Sequence, residues 1–265
     1  MLTTTSRAPR APSAALALVE LGRASLETSS LLLAAPFMAD APRGDGHDVV
    51  VLPGFAFSDV STFLLRAYLR SLGYRAHDWD LGRNLGLRTL ARGAAALASR
   101  IDQLSDGGRR RVSLVGHSLG GVIARQYALE YPGHVRQVIC LGSPFVGDPR
   151  AVNPLVLRLH NSIAGEPPPV RRPPPRLTVP FTAIFSRSDG IVAPSDCTDA
   201  DGEEAENIEV FSSHCGLVSH PAVFYAVADR LALPVGQWRP FQAHGWRKAF
   251  FGPSRPTVDD VAEAA

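Results

Sequence analysis

Ser118 sits at the centre of Gly116-His117-Ser118-Leu119-Gly120, and the residues on either side of that pentapeptide suggest a chemistry for it. An apolar, β-branched run (Val112, Leu114, Val115) stops at Gly116, and a run with helical period (Val122, Ile123, Tyr127) begins after Gly121. The stretch Arg111–Gln126 therefore reads as strand, tight turn, helix, with the serine at the apex. Only glycines at 116 and 120 leave room for so sharp a crossing. A serine hydroxyl is a poor nucleophile near neutral pH until a base takes its proton, and a histidine base needs a carboxylate to fix its tautomer. Two N–H groups aimed at the developing oxyanion complete the requirement.

The rest of the chain supplies each part. Asp189, in SRSDGIV, follows the apolar run Phe181–Phe185, on a loop at the carboxyl end of a strand, where open α/β sheets carry their active residues. An ordinary Asp-Gly turn is the plain alternative, and Asp148 and Asp196 are rival acids. His214, in SSHCGL, lies three residues beyond the run Ile208–Phe211. His220 competes, but it adjoins Pro221 at a helix start where Ser219 would cap and the ring would face solvent. His117 is held by the turn to its own direction and is expected to pack or hydrogen-bond behind the site. For the oxyanion, the backbone N–H of Leu119 at the helix start is one donor. The N–H of Phe55, after Pro53-Gly54, is the second, with Ala56 as its understudy.

These residues need a frame. Asp48–Leu52, Tyr74–Trp79, Val135–Leu141, Val179–Phe185 and Ile208–Phe211 read as strands, the first of them apolar throughout as in a sheet covered on both faces. Helices are expected from Ser58 or Asp59 to Leu72, and over Leu87–Leu104, Asn153–Ile163 and Pro221–Leu233. The alternation predicts an α/β fold with a mostly parallel central sheet flanked by helices on both faces. Residues 1–13 read as disordered. From Ala14 to Ala35, Glu20, Arg23, Glu27 and Ser30 share one face of a helix that Pro36 ends, with Leu18, Leu21, Leu26 and Leu32 over the rest. Packing on the domain is the expected fate of that helix, and its polar face is not basic enough for a membrane-surface helix. EPPPVRRPPPR (166–176) reads as a stiff polyproline connector. The tail mixes Trp238, Phe241, Trp246, Phe250 and Phe251 with Arg239, Arg247 and Lys248. It is expected to pack back on the domain, contact with a membrane interface being the alternative.

Composition narrows the rest. The 265 residues, 45% of them apolar, suit one large domain, and a net charge of +2 without clusters argues against nucleic-acid binding. Three cysteines are too few for a disulfide framework, although Cys197 and Cys215 fall on loops that could meet. The histidines show no metal-ligand spacing. Arg7 and Arg10 precede an apolar stretch, but Glu20, Arg23 and Glu27 interrupt it, so neither a secretory signal nor a membrane span is expected. A cytoplasmic or loosely membrane-associated protein is the expectation, with oligomeric state left open.

Together VVVLPGF, SLVGHSLGG, VICLGSPF, SRSDGIV and SSHCGL resemble the serine α/β-hydrolases, nearest to bacterial lipase- and esterase-like members. The likeness runs from Asp48 to Leu233. It implies a hydrolase domain over 47–235 with a short lid at 150–176, preceded by a helix at 14–36 and followed by an extension at 236–265. It also implies that Ser118, Asp189 and His214 act in that chain order as nucleophile, acid and base, with no cofactor. Pro53 stands where lipases often carry histidine, which removes a side-chain contact but keeps the backbone donor. The implied substrate is a hydrophobic acyl ester or lipid. Thioesterase or acyl-transfer chemistry uses the same triad, and a non-catalytic binding protein is the remoter alternative. A serine nucleophile argues against haloalkane dehalogenases and epoxide hydrolases, which carry aspartate there. The lid segment is too short for a cap domain. It is expected to form one helix that contributes Leu155, Val156 and Leu159 to an acyl pocket.

Overall fold

The computed structural model describes residues 10–165, 174–198 and 202–252. Six strands form one sheet: β1 (Asp48–Leu52), β2 (Arg75–His77), β3 (Val112–His117), β4 (Val135–Leu141), β5 (Phe181–Phe185) and β6 (Ala205–Glu209). Their order is β2-β1-β3-β4-β5-β6, and every neighbouring pair is parallel. The helices are α1 (Ala14–Ser30), α2 (Ala35–Ala39), α3 (Phe63–Ser71), α4 (Leu87–Ser105), α5 (Leu119–Glu130), α6 (Pro154–Ala164), α7 (Pro194–Cys197) and α8 (Pro221–Leu231).

The unbroken apolar runs of β1, β3 and β4 follow from burial on both faces. Successive side chains point to opposite sides of a strand. Val49 and Val51 accordingly join a core with Leu65 and Leu69 of α3 and with Val223, Phe224 and Val227 of α8. Val50 and Leu52 join another core with Leu97 and Ile101 of α4 and with Ile123, Ala124 and Tyr127 of α5. Trp79 is fully buried, its indole N–H donating to Gly82 O at 3.0 Å. Burying a side chain of this size contributes more than ~2 kcal/mol. Because β2 and β3 lie on opposite sides of β1, the strand order reverses there, and open α/β sheets carry their ligands outside the carboxyl ends of strands at such a point, here β1 and β3.

Several boundaries differ from the sequence reading. α1 stops at Ser30, and Pro36 opens the short α2 instead of closing α1, because proline is at ease in a first helical turn. α3 begins at Phe63, not near Ser58, since Asp59 Oδ1 is engaged by the Trp79 N–H at 3.0 Å. β6 begins at Ala205 and ends at Glu209, two residues before Phe211; pairing with β5 recruits Ala205-Glu206-Asn207, which carry no strand signal of their own. The helix α8 is capped by His220, whose Nδ1 accepts the Ala222 N–H at 3.2 Å, and not by Ser219. All three cysteines are free thiols, so Cys197 and Cys215 are not bridged. Residues 1–9, the connector at 166–173 and the acidic end of the tail lie outside the described residues.

The tail folds back as expected. Phe241 and Phe251 are buried, Phe251 bridges to Val210, and Arg247 lies over the rings of Phe37, Tyr225 and Trp246. The helix α1 packs too, but by its polar face. Glu20 is 2% exposed, whereas Leu18, Leu21, Leu26 and Leu32 are 70% exposed or more. No described helix is long and apolar enough to cross a membrane.

Candidate active site

Ser118 follows the last residue of β3 and precedes the first of α5, with φ 50° and ψ −121°. A non-glycine residue rarely adopts that left-handed backbone, and it persists only when the surroundings over-determine it. Here the Ser118 N–H donates to Leu141 O at 2.8 Å. A Cβ on Gly116 would collide with the backbone of Gly121, and one on Gly120 would come within 2.5 Å of Leu52 O. The turn is thus possible only with glycine at both positions, and the serine is left half-buried at the carboxyl end of β3.

The loops after β5 and β6 bring Asp189 and His214 together. His214 Nδ1 donates to Asp189 Oδ2 at 2.6 Å, and Asp189 Oδ1 accepts the N–H groups of Ile191 (2.7 Å) and Val192 (2.8 Å). With Nδ1 carrying the proton, Nε2 is the ring's basic nitrogen. Burial of His214 works against its protonated form. The charge and hydrogen bond of Asp189, aided by the charge of Glu20, outweigh that and raise its pKa above the ordinary histidine value. Gly142 packs beneath the pair: a Cβ there would approach Asp189 Oδ2 to 3.3 Å and Leu217 Cδ1 to 2.6 Å.

His117 lies behind this pair, its ring centroid 5.1 Å from that of His214 and its Nε2 donating to His214 O at 3.0 Å. Burial, followed by the charge of His214, pushes its pKa down to about 3, so it stays neutral. His220 caps α8, and burial lowers it to about 4. Of the rival acids, Asp148 is engaged by Arg150 at 2.9 Å, and Asp196 Oδ1 accepts the Asp148 N–H at 2.8 Å.

The loop after β1 runs against the serine turn. A Cβ on Gly54 would meet His117 Nδ1 at 2.7 Å and Ser118 Cβ at 3.3 Å. Ala56, itself at φ 64°, donates its N–H to Asn84 O at 2.7 Å, which removes it as an oxyanion donor. The N–H groups of Phe55 and Leu119 have no hydrogen-bond acceptor among the described residues. Asn84 was missed by the sequence reading. It is fully buried, its Nδ2 donates to Pro53 O at 2.8 Å, and its own N–H donates to Phe57 O at 2.8 Å. An asparagine between glycines reads as a turn, and nothing local marks it as the brace of another loop.

The helix α6 forms where expected, with Asn153 Oδ1 accepting the Leu155 N–H at 3.0 Å as its cap. Its inner face is not the expected one. The His160 ring stands 4.7 Å from that of Phe55, and a Cβ on Gly86 would meet Ala164 Cβ, His160 Nε2 and Leu119 Cδ2 within 3.5 Å. Leu155 and Leu159 are 61% and 53% exposed, so they do not line an enclosed pocket, and Val156 is half-buried. Glu20 and Glu27 of α1 are the other residues missed. Glu20 accepts the N–H of Gly190 at 2.7 Å and of Cys215 at 3.0 Å, and Glu27 accepts the N–H of Ser213 at 2.8 Å. Their spacing was visible, but a polar helix face ordinarily turns to solvent. Among the described residues no cluster of His, Cys, Asp or Glu could hold a metal ion.

The comparisons with known proteins bear on the fold that carries this arrangement. The family model for the alpha/beta hydrolase fold matches residues 29–174. The chain belongs to that family. A pimeloyl-acyl carrier protein methyl ester esterase of Shewanella oneidensis is 33% identical over 100 residues, 38% of this chain and 36% of that protein. The chain thus matches about a third of that relative's length. Among solved structures, MGS-MChE2, an alpha/beta hydrolase enzyme from the metagenome of lagoon sediments at Mar Chica, Morocco, superposes with a TM-score of 0.50 at 20% identity. That superposition covers 70% of this chain and 90% of the other. A thioesterase domain from the curacin biosynthetic pathway gives a TM-score of 0.49 at 16% identity, covering 71% and 92%. At such identities the likeness is one of fold.

Proposed function

We propose that this alpha/beta hydrolase is a carboxylic ester hydrolase acting through an acyl-enzyme on Ser118. The observation that carries the reading is the 2.6 Å bond from His214 Nδ1 to Asp189, which orients the imidazole and leaves Nε2 as the base. Ser118 Oγ attacks the ester carbonyl as His214 Nε2 takes its proton. The carbonyl electrons move onto oxygen, which accepts hydrogen bonds from the Phe55 and Leu119 N–H groups. Collapse breaks the C–O bond to the leaving group, which receives the proton from His214. Water, deprotonated by the same nitrogen, then attacks the acyl-serine; the bond from the acyl carbon to Ser118 Oγ breaks, His214 returns the proton to Oγ, and the acid is released. Asp189 stabilises the imidazolium throughout.

The substrate class is a hydrophobic acyl ester, reached through a mouth bordered by Phe55 and α6. The esterase named for the Shewanella relative supports this reading. The test is hydrolysis of p-nitrophenyl esters by the intact chain and its variants. Ser118→Ala and His214→Ala are each expected to lower kcat by ~1000-fold or more, and the double variant no further, because the residues act as one unit. His220→Ala is expected to stay within about threefold, as a cap on α8. Full activity in His214→Ala would overturn the assignment of the base.

A further inference from the structure

The residues on either side of Asp189 and His214 are held by a single helix face. From α1, Arg23 donates to Ser188 O at 2.6 Å and to Ser188 Oγ at 2.8 Å, one residue before Asp189. Glu20 Oε1 accepts the Gly190 N–H, one residue after it. Glu27 Oε1 accepts the Ser213 N–H, one residue before His214, and Glu20 Oε2 accepts the Cys215 N–H, one residue after. Glu20 is therefore shared between the two loops, one oxygen to each. Both loops are shaped to admit the helix: a Cβ on Gly190 would come within 2.6 Å of the Leu16 backbone, and one on Gly216 would collide with Glu27.

We propose that Glu20 is a positioning residue of the Ser118 site, its carboxylate tying the Asp189 loop to the His214 loop and setting acid against base. The proposal rests on the esterase reading above. The two loops leave different strands, and sheet register fixes only where each begins. A carboxylate accepting two buried N–H groups supplies the missing cross-link, since freeing either oxygen leaves a desolvated donor unpaired. Its charge also acts on His214, favouring the imidazolium formed when Ser118 gives up its proton. The groups that face His214 and its loop are Asp189 and Cys215, Glu20, Arg23 and Glu27 from α1, and His117 from β3. The residues outward from this face, Leu18, Leu21 and Leu26, carry no charge, so all three charged side chains of α1 are spent on the two loops.

The experiment compares the wild-type chain with Glu20→Gln, Glu20→Asp and Leu21→Ser. It reads kcat and KM on p-nitrophenyl butyrate against pH, thermal melting, and the low-field proton resonance of the His214–Asp189 hydrogen bond. Glu20→Gln keeps the size but can accept through only one atom. It is expected to lower kcat by about tenfold, as for one charged hydrogen bond lost, with KM nearly unchanged. The acidic limb of the profile should move to lower pH, because removing a negative charge lowers the His214 pKa, and the low-field resonance should broaden. Glu20→Asp restores the charge and the limb but, one methylene short, not kcat. Leu21→Ser should match wild type. A folded Glu20→Gln with wild-type kcat, limb and resonance overturns the proposal. If Glu20→Gln does not fold, an unaltered kcat in Glu20→Asp overturns it instead. Should the wild-type chain neither hydrolyse esters nor bind a fluorophosphonate at Ser118, the esterase reading itself falls. The resonance, which needs no substrate, then still decides whether Glu20 holds the His214–Asp189 pair.

Discussion

The serine side of the site and the His–Asp side are held by different means. Around Ser118, the chain presses on itself: Gly116 on the Gly121 backbone, Gly120 on the Leu52 backbone, and Gly54 on the His117 ring and the Ser118 Cβ, with neutral hydrogen bonds from Asn84 bracing Pro53 and Phe57. Around Asp189 and His214, the contacts come from the charged side chains of a helix 165 to 195 residues away in sequence. The first kind of support is close packing and neutral hydrogen bonding, indifferent to charge. The second is electrostatic and acts on the proton that the reaction moves. One site can therefore be damaged in two separable ways, through geometry alone or through geometry together with titration.

The largest test of that separation is Asp189→Asn. It is expected to lower kcat by ~1000-fold or more, because the amide favours the wrong imidazole tautomer. The sign on pH follows from the causes of the His214 shift. Asp189 raises the His214 pKa above the ordinary histidine value, so in the wild type the rise of kcat/KM with pH is expected on the alkaline side of a free histidine's titration. With asparagine, burial is opposed only by the charge of Glu20, and the limb should fall below its wild-type position. A limb that stayed put would break the claim that this side works through charge. Asn84→Ala is the counterpart on the uncharged side. Losing the side-chain bonds to Pro53 and Gly86 should lower kcat by about tenfold, with the acidic limb unmoved. A shifted limb in that variant would erase the distinction. The smallest effects belong to α6. His160→Ala, which removes the ring against Phe55, should change the preference between butyrate and palmitate esters by about threefold, whereas Leu155→Ser and Leu159→Ser should each change it by less than about twofold.

The two sides also differed in how much could be read from sequence. The serine turn is local: strand, glycines and helix lie within Arg111–Gln126, and their steric demands can be stated without knowing the rest of the chain. Asp189 and His214 were identified only as residues just past strands, and it is the adjacency of β5 and β6 that brings them within 2.6 Å. Asn84 was invisible because its partners, Pro53 and Phe57, precede it by about thirty residues in another loop, and a turn asparagine announces nothing about long-range bonds. Leu155, Val156 and Leu159 of α6 were assigned to the pocket from the place of their segment in the hydrolase resemblance, where the lid is inserted. That place locates a helix but not which side of it a neighbouring loop will cover.

By itself the sequence determined the parallel α/β frame, since apolar runs covered on both faces and helix-period segments alternate along it. It also determined the serine turn, because no residue but glycine fits at 116 or 120. The tertiary structure alone decided which way α1 faces. Periodicity separates its polar stripe from its leucines, and the hydrophobic effect would bury the leucines. The buried N–H groups beside Asp189 and His214 need acceptors, however, and Glu20 and Glu27 satisfy them, so the helix docks with its charges inward. That preference belongs to the two loops α1 meets, and nothing within residues 14–30 encodes it.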